Sequence, residues 1–282
     1  MAPADDISSL VGMTVALSWL DCEQAVEELL AIGFTAVEVH VEQLRPALPG
    51  VPAREAHAAA MGQFVREHGL VPSSLNAAGA AGFEPVAGDR DSSVETLAFQ
   101  LRLAAALGAP RLICWDGRLG DEDAQRAPAV LAAVIDEARQ RSQLDDPPVV
   151  SVELHPFTFA LESGRVAETA AALCDVGAGL CVDFCHFGVA LGPSFATTLE
   201  PDVIEATNHV HLADGDCTTS ELHFALGEGV IDVEAVASLF SSQPVSLAWD
   251  LFGWPVPRRA MREGFAQYTR IVEAHRRSLA PA

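Results

Sequence analysis

No stretch of this 282-residue sequence is apolar over the roughly 20 residues that a membrane-spanning helix needs; its longest apolar runs are strand-sized. Basic residues are scarce: 17 Arg and Lys stand against 39 Asp and Glu, a formal charge of −22. Such a surface repels a phosphate backbone, whose attraction normally drives nucleic-acid binding, so neither nucleic acid nor membrane is expected as a partner. The opening residues, MAPADDISSL, carry two acids and no basic segment. A secretory signal is therefore not expected, and the cytoplasm is the expected compartment. No CxxC pair occurs among the six cysteines, Cys22, Cys114, Cys174, Cys181, Cys185 and Cys217. Several lie in apolar runs, which points to reduced core thiols rather than a disulfide scaffold. A Gly-rich phosphate loop is missing after the first strand-like unit, MTVALSWLDC, which argues against an open nucleotide-binding sheet.

What the sequence does contain is a rhythm of short β-rich runs, each followed by an amphipathic helical stretch. The strand candidates are Met13–Ser18, Ala36–Val41, Val71–Asn76, Arg111–Trp115, Val149–Leu154, Gly179–Phe184, Asn208–Leu212 and Ser246–Leu251. Helix candidates between them are Cys22–Ile32, Ala53–His68, Ser92–Leu107, Asp123–Ser142, Arg165–Cys174, Val233–Phe240 and Pro257–Arg277. Asp21, Ser163 and Asp232 read as helix starts, and Gly33, Gly69 and Gly108 as helix ends. Strands that alternate with helices imply a parallel sheet with crossover helices. Eight such units in a chain of this length predict an α/β fold, a single-domain (β/α)8 TIM barrel over residues 1–282.

Side chains alternate along a strand, so one parity faces the lumen and the other the helices. In the fifth unit Val150, Val152 and Leu154 face outward, leaving Ser151, Glu153 and His155 inside. The same reading places Cys181 and Asp183, His209 and His211, Ala248 and Asp250, and Glu38 and His40 on the inner face. Glu153, Asp183, His211 and Asp250 each end a different late strand, at the end of a barrel where active sites are built. Three carboxylates and an imidazole cannot all stay ionised and unpaired in one cavity. A divalent cation resolves the conflict, and oxygen-rich ligation with one nitrogen suits Mn²⁺ or Mg²⁺, with Co²⁺ or Zn²⁺ possible. His186, placed in the loop after strand six, is a candidate to bind substrate oxygen, to shuttle a proton or to cap the loop. His223 is a mouth candidate or an exposed loop residue. His155, Asn76 and Trp115 are candidate substrate contacts, Glu38 is a candidate contact to substrate or to the metal-site residues, and Trp19 and Trp254 are candidate rim aromatics.

The run of VELHP, VDFCHFG, HVHLADG and LGEGVID, in this order, resembles the xylose-isomerase-like barrel superfamily of sugar isomerases, epimerases and related lyases. The resemblance extends from GFTAVEVH through strand eight. It implies metal ligation by Glu153, Asp183 and His211 with a fourth ligand from strand eight, and places His186 where substrate is met. Two departures stand out. Ketose epimerases usually carry a second Glu on strand eight, where this chain has Asp250. They also usually place an Arg after strand seven, and the loop DGDCTTSELH has none.

A metal and a base of this kind are expected to abstract a proton next to a carbonyl. Glu153, His186 and Asp250 are the candidate catalytic groups. The expected activity is isomerisation or epimerisation of a small sugar or polyol-derived keto compound. The alternative is a lyase or dehydratase, keto-glycoside cleavage included, and a homo-oligomer is possible.

Overall fold

The computed structural model describes residues 9–44, 55–80, 82–118, 124–219 and 222–279. Eight parallel strands close into a barrel in sequence order. They are β1 (Val11–Met13), β2 (Ala36–His40), β3 (Val71–Asn76), β4 (Arg111–Trp115), β5 (Val149–Glu153), β6 (Gly179–Asp183), β7 (Thr207–Leu212) and β8 (Ser246–Trp249). Around them run α1 (Cys22–Ile32), α2 (Glu55–Glu67), α3 (Arg90–Leu107), α4 (Ala127–Ser142), α5 (Phe159–Glu162), α6 (Val166–Asp175), α7 (Phe184–Leu191), α8 (Pro201–Ala206), α9 (Val233–Leu239) and α10 (Pro257–Leu279). Among the described residues no helix is long and apolar enough to cross a membrane.

The outward parity of the strands (Val37 and Val39, Val150 and Val152, Leu180 and Val182, Val210 and Leu212, Leu247 and Trp249) packs into one continuous apolar layer under the helices. This layer removes both helix and strand surface from water, the principal favourable term in folding. The lumen divides differently. Val11, Met13, Ala36 and Ala248, from β8, β1 and β2, form a small separate apolar cluster. The inward positions of β5 to β7 instead carry Ser151, Glu153, Cys181, Asp183, His209 and His211, all buried.

Several local features differ from the sequence reading. Strand one was expected over Met13–Ser18, but β1 stops at Met13 and Thr14–Leu17 forms a 3-10 turn. The turn places the Thr14 hydroxyl to accept the backbone N–H of His40 at the end of β2, 2.9 Å away. His186 was placed in a loop; it lies in the first turn of α7. The Asp183 carboxylate caps that helix by accepting the His186 N–H at 2.8 Å. Asp21 and Asp232 cap α1 and α9 as read. Ser163 does not start a helix: it ends α5, its hydroxyl bonding back to the Phe159 carbonyl at 2.5 Å, and α6 begins at Val166. Strand eight ends at Trp249, which leaves Asp250 just beyond it. The expected helix starts at Ala53 and Asp123 lie outside the described residues. All six cysteines are free thiols.

The barrel closes where β1 pairs with β8, through Val11 with Ala248 and Gly12 with Trp249. Tyr268, projecting from α10 into this seam, fastens it. Its hydroxyl accepts the Val11 N–H at 2.8 Å and lies 2.6 Å from the Leu247 carbonyl oxygen, to which it donates. The ring stacks on Trp249 with centroids 5.1 Å apart. Tyr268→Phe keeps the ring and removes the hydroxyl, stranding buried groups on both seam strands. We expect a loss of about 1–3 kcal/mol in urea unfolding. Unchanged stability would show that the seam does not depend on this hydroxyl.

Candidate functional site

The C-terminal ends of the strands open onto a cavity of about 580 Å³. At its base, Glu153 closes β5, Asp183 closes β6 and His211 sits one residue before the end of β7. One donor atom from each lies within 4.8 Å of the others. His211 Nδ1 is 2.8 Å from Glu153 Oε1 and 3.8 Å from Asp183 Oδ2. Asp183 Oδ1 is occupied by the α7 cap, but Oδ2 is buried with no hydrogen-bond partner. Burial pushes the Asp183 carboxyl up, and Glu153 adds to this against the pull of His223 and His211. A buried carboxylate oxygen without a donor is costly, and a cation placed among these three groups would satisfy it. The donor set of two carboxylates and one imidazole fits a divalent ion.

Asp250, the fourth expected ligand, stands one imidazole away. Its Oδ1 accepts the Phe252 N–H at 2.9 Å, and its Oδ2 lies 2.9 Å from His223 Nδ1. That same His223 nitrogen is 3.9 Å from Asp183 Oδ2. Burial works against a charge on His223, but Asp250 and Asp183 raise its pKa to about 9. His186 Nδ1 lies 3.6 Å from Glu153 Oε1 and 3.8 Å from Asp183 Oδ1. Burial, with His155 beside it, holds His186 well below the ordinary imidazole range. His155 Nε2 is 3.5 Å from Glu153 Oε2. His155, His186, His223, Asn76 and Trp115 all line the cavity.

Glu38, expected to touch either substrate or the residues around the site, does the latter and does not line the cavity. It lies beneath, and hydrogen bonds consume both of its oxygens. Oε1 accepts from Asn76 at 2.9 Å and faces His211 Nε2 at 3.0 Å. Oε2 accepts from the Ser74 hydroxyl at 2.5 Å and faces His209 Nε2 at 2.9 Å. Burial opposes the charge, but His211 and His209 hold the Glu38 pKa well below the usual carboxylate range. With its Nε2 directed to Glu38, His211 turns Nδ1 toward Glu153 and Asp183, which fixes the ring and leaves one nitrogen for the mouth.

Other contributors were not picked out by sequence reasoning. Phe157 and Phe252 line the cavity, following β5 and β8. Trp254 packs instead on Phe224, with centroids 5.1 Å apart, and Trp19 is 60% exposed; neither lines the cavity. Asp116, just past β4, accepts the Ala160 N–H at 2.8 Å and so ties the loop carrying His155 and Phe157 to its neighbour. Burial pushes its carboxyl up to about 7. Asp214, just past β7, accepts four backbone N–H groups, from Gly215, Gly227, Gly229 and Ile231, at 2.8–3.0 Å. This explains Gly229 of LGEG, where a Cβ would lie 2.2 Å from Asp214 Oδ1, while Gly227 holds a left-handed φ of 86°.

A closed eight-stranded barrel with carboxylates and imidazoles gathered at its C-terminal mouth has the architecture of the barrel enzymes. The family model of xylose isomerase-like TIM barrels matches residues 26–250, and the chain belongs to that family. No curated protein matches it in sequence. Solved structures share its fold at low identity. Endonuclease IV from Thermus thermophilus is 22% identical over 93% of this chain and 99% of that one, with a TM-score of 0.64. An L-ribulose 3-epimerase is 16% identical over 98% and 96%, with a TM-score of 0.68. The IOLI protein, described with a zinc atom bound, is 13% identical over 96% and 98%, with a TM-score of 0.66.

Glu38→Gln replaces one acceptor oxygen with an amide donor that must face other donors whichever way it turns. We expect it to cost about 1–3 kcal/mol in urea unfolding. Wild-type stability would show that the four contacts to Glu38 are dispensable.

Proposed function

We propose that this protein is a divalent-metal-dependent isomerase or epimerase that takes a proton from the carbon beside the carbonyl of a sugar or polyol-derived keto compound. The observation that carries this reading is the buried, unpartnered Asp183 Oδ2 beside Glu153 and His211 at the barrel mouth. Glu153, Asp183 and His211 would hold the ion, with Asp250 on the β8 side. Mn²⁺ or Mg²⁺ suits the donors best, with Co²⁺ or Zn²⁺ as alternatives. A bound divalent ion supplies Lewis acidity, making the C–H beside the carbonyl easier to deprotonate.

The protein's own groups perform the remaining work. Glu153 carries the carboxylate that accepts the proton, kept ionised by His211 and His155 in spite of its burial. His186, buried and close to Glu153, presents a neutral imidazole to a substrate hydroxyl. His223, paired with Asp250, can give a proton to an oxygen on the opposite side of the cavity. The acidic surface, and Glu42, Glu153 and Asp250 on the cavity wall, support a small-molecule substrate over nucleic acid.

The Asp250–His223 pair favours a second reading, elimination. Glu153 would take the proton, the C–H electron pair would become a C=C bond, and the β C–O bond would break. The leaving oxygen would collect its proton from His223.

Proton abstraction can be followed by ¹H NMR in D₂O with Mn²⁺-supplied protein and D-fructose or D-tagatose. We expect the signal next to the carbonyl to exchange, and Glu153→Gln to slow exchange by roughly 10²–10⁴-fold. Conversion of a ketose to its C3 epimer, D-psicose from D-fructose or D-sorbose from D-tagatose, would mark an epimerase, and conversion to an aldose an isomerase. A wild-type rate in Glu153→Gln would remove Glu153 from the chemistry.

A further inference from the structure

The cavity has two chemically distinct ends. Its inner end holds the carboxylates and imidazoles described above. Rings follow one another around the wall from β4 to β8, the buried Trp115, His186 and His223 on the inner side and the partly open Phe157 and Phe252 toward the outside. Trp115 meets His155 at 6.1 Å between centroids, His155 meets His186 at 4.0 Å, His186 meets His223 at 5.3 Å and His223 meets Phe252 at 6.3 Å. Phe157 joins this belt at 5.3 Å from His155. Met13, Val15, Ala78 and Ala80 supply aliphatic surface elsewhere on the wall.

Phe157 and Phe252 lie on this belt with 40% and 38% of their surface open to solvent. Apolar rings left open on the wall of a preformed cavity match an apolar group on a ligand. Size points the same way. A volume of about 580 Å³ lies in the range for drug-sized ligands of roughly 300–1,000 Å³, more than a single sugar ring fills. Charge narrows the ligand further. The acidic side chains on the wall are Glu42, Glu153 and Asp250, and among the described residues none of the lining side chains is an arginine. The chain contains no lysine. Arg118 places its guanidinium over the Trp115 ring at 5.9 Å and does not line the cavity.

We propose that the substrate is an uncharged molecule in two parts: a hydroxylated, carbonyl-bearing ring at the buried end, and an aromatic substituent against Phe157 and Phe252 at the outer end. The inference rests on the proton-abstraction reading for the buried half only. In it, Phe157 and Phe252 set specificity and the metal and base set the chemistry. Phosphorylated sugars are disfavoured, since among the described residues the lining imidazoles already face carboxylates, His223 facing Asp250 and His155 and His186 facing Glu153, which leaves no arginine or lysine to meet a phosphate.

The test is isothermal titration of the Mn²⁺-supplied full chain with phenyl β-D-glucopyranoside, methyl β-D-glucopyranoside and D-glucose 6-phosphate. We expect the phenyl glycoside to bind at least about tenfold more tightly than the methyl one, and the phosphate ester no better than the methyl glycoside. In a Phe157→Ala/Phe252→Ala double variant, checked for folding by circular dichroism, the preference should fall to about threefold or less. Equal binding of the two glycosides, no measurable binding of any probe, or tightest binding of the phosphate ester would overturn the proposal. So would a phenyl preference that survives in the folded double variant. Binding is read here without turnover. A phenyl preference without exchange in keto sugars would defeat the proton-abstraction reading alone. Exchange without a phenyl preference would defeat this inference alone.

Discussion

Everything at the mouth of this barrel depends on how four buried carboxylates, Glu38, Glu153, Asp183 and Asp250, share one lumen. Each alone would be expensive to ionise away from water. The structure separates them into layers. Glu38 lies deepest and is fully satisfied, with four donors on two oxygens. Glu153 and Asp250 each lean on an imidazole, His211 and His223 respectively. Asp183 is left with one oxygen bonded and one bare. The arrangement is thus balanced at the bottom and short of positive charge at the top, which is the condition that makes a cation the natural occupant.

The layers are linked through His211, with Glu38 below it and Glu153 above. Around this axis the loops are held by their own buried acids. Asp214 gathers the backbone of the LGEG turn after β7, and Asp116 binds the first turn of α5 to the end of β4. These acids touch backbone, so they shape the rim rather than take part in its chemistry. A site built on strand ends and clasped loops is preorganised, which a proton transfer at a weakly acidic carbon requires.

The barrel and the inner face of its strands were legible in the sequence because two constraints coincide there. Alternation puts Glu153, Asp183 and His211 on one parity, and a helix-covered barrel makes the other parity apolar, as in Val150, Val152, Val182 and Val210. What escaped depends on contacts between distant segments. The shortness of β1 reflects a bond from His40 to Thr14 in the next turn, invisible to local pattern. Glu38 carries the right parity, but only the pairing of β2 with its neighbours shows that Ser74, Asn76, His209 and His211 enclose it. His186 was read as a loop residue because Phe184–Leu191 follows β6 with no connecting segment; the Asp183 that ends the strand also caps the helix beginning there. Phe157 and Phe252 look like ordinary core residues until the fold leaves them on the cavity wall. The engagement of Asp250 with His223 likewise requires two loops to be brought together.

The central claim is that a divalent cation belongs among Glu153, Asp183 and His211. Inductively coupled plasma mass spectrometry of the purified protein, stripped of adventitious metal and resupplied with Mn²⁺, tests it most directly, with Asp183→Asn alongside. Asparagine retains an oxygen to cap α7 but removes the charge. The account predicts about one ion per wild-type chain and a marked loss in the variant. No metal in the wild-type protein, or full occupancy in Asp183→Asn, would contradict it.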